Sequence, residues 1–124
     1  MTRERQKLGQ NGEKAALEFL EAKGLVFKER NYRLRTGEID LIMLDRDILV
    51  FVEVRTRSND FFGTPVETIL REKRRRIIQT ARHYLKQKRI CDEVRCRFDI
   101  VGITVRENDR FEIEHIENAF LVTD

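Results

Sequence analysis

Residues 48–55 read Ile-Leu-Val-Phe-Val-Glu-Val-Arg, and this short segment constrains the fold more than any other. A run that opens continuously apolar over strand length marks a β-strand covered on both faces, and so the middle of a sheet with layers on either side. It then ends on Glu53 and Arg55. Charged groups at the end of a buried strand have to be paired, bound to an ion or used, because leaving them dry and alone is costly.

The rest of the chain arranges itself around that strand. Leu8, Ala15, Ala16, Phe19 and Leu20 recur at helical spacing and predict a helix over Arg5–Lys23, stopped by Gly24. Leu25–Arg33 predicts a first strand and Gly37–Leu44 a second, with a turn at Asp45-Arg46-Asp47 before the central strand. Ser58–Gly63 reads as a loop. Thr64 as cap, Pro65 at the first helical position and Glu67 form a helix start. A longer helix follows over Arg71–Lys88, its buried stripe Ile77, Ile78, Ala81, Tyr84 and Leu85. Strands over Arg97–Val105 and Phe111–Ile116 flank a turn at Asn108-Asp109. The order α-β-β-β-α-β-β predicts one α/β domain over residues 1–124, with a mixed central sheet flanked by helices.

A chain of 124 residues holds one core, and 40% apolar with 38% charged residues is a globular balance with a heavily charged surface. No run approaches a membrane span, and Met1-Thr2-Arg3-Glu4-Arg5 is too charged for a secretory leader. Cys91 and Cys96 are then expected as free thiols of a cytoplasmic protein. The net charge is +3, but Arg71–Arg97 carries eleven basic and three acidic residues, +8 locally, leaving −5 elsewhere. One face is expected to attract polyanions. A solvated basic helix gives the same pattern.

Side chains alternate along a strand, so Glu53 and Arg55 share one face and Val52 and Val54 the other. Glu38 and Asp40 share a face of the preceding strand, and the short hairpin brings Asp40 near Glu53. Asp40, twelve intervening residues, then Glu53-Val54-Arg55 is similar to the PD-(D/E)XK nuclease signature. Two carboxylates suit Mg²⁺ or Mn²⁺, and a cation beside them stabilises charge developing on a phosphate. Structural ion pairs, Asp40 with Arg55 or Glu53 with Arg57, are the competing reading.

The resemblance extends along the chain. Gly12-Glu13 with Ala16, Asn31-Tyr32-Arg33, Gly37-Glu38-Ile39-Asp40-Leu41-Ile42 and Phe51-Val52-Glu53-Val54-Arg55-Thr56-Arg57 resemble the YraN-type family of small bacterial proteins. So do Lys73, Arg97-Phe98-Asp99-Ile100-Val101 and Asn118-Ala119-Phe120. That family is similar in fold to archaeal Holliday-junction resolvases and other restriction-endonuclease-like proteins. The resemblance implies a restriction-endonuclease-like core, catalytic Asp40, Glu53 and Arg55, and a metal held by Asp40, Glu53 and Glu13. It also implies DNA as partner, branched DNA in particular, and a homodimer where two strands are cut symmetrically. Arg57, Lys73, Arg75, Arg82 and Lys86 are the residues expected to track the nucleic-acid backbone.

One departure matters. Arg55 stands where the signature has Lys, and a guanidinium never gives up its proton, so Arg55 cannot be a general base. Lys73 is the cation able to approach from the second helix. The alternative is a non-catalytic nucleic-acid-binding or adaptor protein that retains the nuclease fold. Other chemistries lack support. Cys91 and Cys96 have no second pair at zinc spacing, His83 and His115 have no reason to meet, and no glycine-rich phosphate loop is present. Phe61 and Phe62 suit base stacking, with one of them expected in the core.

Overall fold

A computed structural model describes residues 3–58, 71–90, 93–107 and 110–120. Its elements are α1 (Arg3–Ala22), β1 (Val26–Leu34), β2 (Gly37–Asp45), β3 (Ile48–Ser58), α2 (Arg71–Gln87), β4 (Cys96–Val105) and β5 (Phe111–Phe120). The predicted order is the one found. Thr64, Pro65, Phe61, Phe62, Cys91 and the Asn108-Asp109 turn lie outside the described residues.

α1 ends as its sequence requires. Gly24 takes φ 99°, Gly24 N–H donates to Glu21 O at 3.0 Å, and Leu25 N–H donates to Leu20 O at 3.1 Å. This is the two-bond helix stop that a left-handed residue permits, closed by contact between buried Leu20 and Leu25. α2 ends the same way with Arg89 at φ 55°, Ile90 N–H reaching Leu85 O at 2.9 Å.

The five strands stand in the sheet in chain order, β1-β2-β3-β4-β5. β1–β2, β2–β3 and β4–β5 are antiparallel, and β3–β4 is parallel. A parallel neighbour needs a crossover, and α2 supplies it. β3 is the central strand, as predicted, and Leu49, Val50, Phe51 and Val52 are all buried. Its alternation splits the core in two. Leu49 and Phe51 pack with Ile77, Ile78, Ala81 and Tyr84 under α2. Val50 and Val52 pack with Ala16 and Leu20 under α1. A helix on each face is the layered arrangement expected of a mixed sheet.

β5 runs to Phe120, beyond the predicted end at Ile116. The pairing shifts between Phe98↔Phe120 and Ile100↔Ile116, and Asn118 takes φ 53° at that bulge. Asp99 holds it: its carboxylate accepts from Asn118 N–H at 3.0 Å, Arg97 Nε at 3.0 Å and His115 Nε2 at 2.8 Å. Lys23 Nζ lies 2.7 Å from His115 Nδ1. Lysine only donates, so Nδ1 accepts and Nε2–H is left to donate to Asp99. Arg97 also spans β3 to reach Asp45 on β2 at 2.8 Å. His115 is therefore a structural residue in a buried polar cluster, while His83 is exposed on α2.

Gly12 is explained by close approach. A Cβ there would collide with Thr56 Oγ1 of β3, so the glycine lets α1 lie directly on the sheet.

Candidate metal centre

β2 and β3 carry the two acidic residues, and the sheet geometry brings them together. Their ladder runs from Asp45↔Ile48 to Leu41↔Val52, which leaves Asp40 and Glu53 as the residues just past its end. There the Asp40 side chain enters the ladder: Oδ2 accepts from Val54 N–H at 2.8 Å. Asp40 thus has its position fixed by the backbone of the neighbouring strand.

A cleft of about 360 Å³ opens at this point, lined by Gly37, Glu38, Asp40, Glu53, Lys73, Arg76 and Ile77. β2 and β3 make its floor and the first turns of α2 its wall. Lys73 Nζ stands 2.8 Å from Glu53 Oε1, with the Glu53 side chain 7% exposed and that of Lys73 41%. The β1–β2 turn is tied to α2 by Thr36 Oγ1 against Thr80 Oγ1 at 3.0 Å, and Thr80 donates to Arg76 O at 2.7 Å. At Gly37 a Cβ would meet Thr80 Oγ1 at 3.1 Å and Arg76 Cβ at 3.3 Å. The helix can approach the carboxylates because position 37 has no side chain.

The cleft is electrostatically unbalanced. Burial, and next the Glu53 carboxylate, push Asp40 up to about 8, against the opposing effect of the Val54 N–H bond. Glu13 and Glu38 act on it in the same direction. Glu13 is itself raised, by burial first and then by Glu38. With its amide nitrogen turned toward the carboxylates, Asn31 donates to Glu13 Oε1 at 2.9 Å and to Glu38 Oε1 at 3.3 Å. Asn31 holds φ 52°, a backbone state asparagine tolerates better than most residues.

Of the residues expected at the site, Asp40, Glu53 and Lys73 are brought together. Glu13 is within electrostatic reach from α1 but does not line the cleft. Arg55 and Arg57 stand further along β3 and do not line it either. Arg75, Arg82 and Lys86 lie on the exposed face of α2. Asp40 takes a backbone N–H from Val54, and Glu53 pairs with Lys73 of α2. Arg76 is a cleft residue that the sequence pattern did not single out, and only the seating of α2 over Gly37 reveals it; Glu38 lines the cleft from the strand face it shares with Asp40.

The donor set suits a hard divalent cation. Among the described residues no three acidic, histidine or cysteine side chains close on one point as a complete cage. Mg²⁺ does not ask for one: it is commonly held by one or two carboxylates, keeping water and substrate phosphate in its other positions. Asp40 and Glu53 provide such a pair, with Glu38 beside them. Among the described residues no helix is long and apolar enough to cross a membrane.

The sequence model of the uncharacterised protein family UPF0102 matches residues 12–103. A UPF0102 protein of Coxiella burnetii (strain RSA 331 / Henzerling II) is 50% identical over 117 residues, 94% of this chain and 94% of that protein. One of Nitrosomonas europaea is 50% identical over 113 residues, covering 90% and 92%. One of Desulforapulum autotrophicum is 43% identical over 120 residues, covering 97% and 98%. The matched span runs from the glycine under Thr56 to the buried Ile103 of β4 and takes in every residue of the cleft, and relatives of near-equal length share it: the chain belongs to the uncharacterised protein family UPF0102.

Proposed function

We propose that this protein is a metal-dependent endonuclease that hydrolyses phosphodiester bonds in DNA, with Asp40 and Glu53 holding Mg²⁺ or Mn²⁺. The observation that carries the reading is the cleft itself: two strand-borne carboxylates side by side, one pushed up to about 8, faced by a helix-borne lysine. A bound divalent ion would supply Lewis acidity and a more acidic water.

The chain's own groups have separable tasks. The Val54 N–H holds the Asp40 carboxylate in place. Lys73 provides the cation that the signature would put at position 55. Its ammonium balances Glu53 in the free protein and is placed to donate to a phosphate oxygen once substrate enters. Arg76, on the same wall, offers a second cationic group to the phosphate. Arg55 and Arg57 lie beyond the cleft on β3, where they suit the flanking backbone. A preference for branched DNA follows from the resemblance to junction resolvases. The cytoplasm, where Cys96 stays reduced, is the compartment in which we place the activity.

The test is direct. Purified protein with Mg²⁺ or Mn²⁺ is offered junctions, flaps, duplexes, single strands and RNA. Metal-dependent cleavage of DNA is expected, with loss in an Asp40→Ala, Glu53→Ala double variant. Product formation unchanged in that variant would falsify the assignment.

A second reading is favoured by two features. Lys73 pairs with Glu53, and Arg55 stands where the signature has lysine. A binding or adaptor protein on the same scaffold would show salt-sensitive association with nucleic acid and no metal-dependent product.

A further inference from the structure

We propose that the outward face of α2 is a lane for one backbone of a DNA duplex. This rests on the phosphodiester reading of the cleft and adds which form of DNA is taken.

Arg75, Gln79, Arg82 and Lys86 are spaced four, three and four residues apart, so they fall on one stripe, and all four are exposed. His83 borders the stripe, and a shallow groove of about 270 Å³ runs between Gln79, Arg82, His83 and Lys86. α2 carries seven basic residues and one acidic residue, Glu72. That acid stands 3.7 Å from Arg76, not on the stripe cations. Among the described residues, Arg75, Arg82 and Lys86 have no acidic partner. Uncompensated cations in a line repel each other, and a polyanion is the ligand that relieves this.

Lys73, Arg76 and Ile77 of the same helix form the cleft wall, and at ~100° per residue Arg75, Arg82 and Lys86 fall on the side of α2 turned away from it, so cleft and lane are two faces of one helix. From Arg75 to Lys86 the helix advances roughly 16 Å at ~1.5 Å per residue.

The chemistry of the stripe selects a duplex over a single strand. It offers guanidinium, ammonium, amide and imidazole groups and no aromatic side chain. Single-strand binders add aromatic platforms on which unpaired bases stack. Among the described residues, the exposed aromatics Phe27 and Phe111 are on the two edge strands, away from this helix. The opposite border of the sheet repels DNA, since β5 carries Glu112, Glu114 and Glu117 and no lysine or arginine.

The test uses the full chain in EDTA, so that binding is measured without cleavage. Fluorescent duplexes of increasing length and single strands of matching length are titrated at several salt concentrations. Wild type is compared with Arg75→Gln/Arg82→Gln/Lys86→Gln and with Arg82→Gln alone. The triple variant is expected to lower the log–log salt slope by about 2.7, ~0.9 for each lost phosphate contact, and the single variant by about 0.9. Duplex is expected to bind more tightly than single strand of equal length. An unchanged slope in both variants, each shown by circular dichroism to be folded, overturns the lane, as does equal or tighter binding of single strands. The two proposals fail separately. Absent cleavage with the expected slopes removes the hydrolytic reading alone, and intact cleavage with unchanged slopes removes the lane alone.

Discussion

Asp40 is a carboxyl group held where its charge is disfavoured. Its ordinary value is 3.8, and burial with the Glu53 carboxylate pushes it up to about 8 in the folded protein. Between those limits the native state holds a proton that the unfolded chain has released, so folding stability falls as pH rises from about 4 to about 8 and is level above that. Asp40→Asn keeps an acceptor for the Val54 N–H and removes the charge. Its urea-unfolding free energy at pH 8 is expected to exceed wild type by on the order of 1–3 kcal/mol, while calorimetric uptake of Mn²⁺ disappears. Equal stability at pH 8 would show that the carboxyl is not held against its charge. Lys73 gives the converse case. Lys73→Met strands Glu53 without its counter-charge; because Lys73 is 41% exposed, screening limits the cost to about 1–2 kcal/mol. Cleavage in this variant is expected to drop ~100-fold or more, with Arg55→Met far milder. Equal losses in the two would return the catalytic cation to β3. The acidic pair could be read from the sequence because strand alternation is a period-two rule. The Lys73 contact needed the helix to be placed, so only its possibility was visible. Arg76 was hidden, because its role depends on a turn packing under a helix far along the chain.

The elements are held in place by small, specific devices. The β5 bulge depends on Asp99, which is completely buried. Burial alone would raise Asp99, but the bonds from His115, Arg97 and Asn118 N–H outweigh it and hold the group below the usual carboxylate range. Its contribution is therefore full above pH ~4 and is lost as pH falls through the lowered value. Asp99→Ala leaves His115 and the Asn118 N–H without their acceptor and removes one of the anions of Arg97, which keeps Asp45, and is expected to cost about 3–5 kcal/mol in urea unfolding at pH 7. A loss under 1 kcal/mol would mean the bulge holds itself. The α1–β3 contact is tested by Gly12→Ala, whose methyl meets Thr56 Oγ1. A loss of about 1–3 kcal/mol is expected, with much of it recovered when Thr56→Ala is added. Helix spacing and strand alternation were legible because each is local. The last turn of β5 was not: Glu117-Asn118 looks like a strand end until a carboxylate from β4 arrives to hold the irregular backbone. Gly12 falls within the helix predicted over Arg5–Lys23, but the cause of a glycine there, a threonine on the central strand, could not be read from the sequence.

At the scale of the molecule, the α/β architecture and element order followed from one apolar strand and the periodicities around it. The order of strands in the sheet did not, since periodicity says nothing of which neighbour pairs with which. Ion binding is expected to register globally. Because the unfolded chain does not hold the two carboxylates together, Mn²⁺ at a hundred times its dissociation constant should add about 2.7 kcal/mol to stability in the wild type and nothing in Asp40→Asn. A melting temperature indifferent to Mn²⁺ in the wild type would remove the ion from this cleft. The sequential order of the strands has a kinetic consequence. The β2–β3 hairpin can close within microseconds on its own, whereas β3 and β4 can join only after α2 has folded back between them. A chain emerging from the ribosome would thus present its two acidic groups together before the helix that carries their lysine has docked. Pulsed hydrogen exchange during refolding should find the amides of Leu41–Val52 protected ahead of those of β4, and simultaneous protection would assign the whole sheet to a single event.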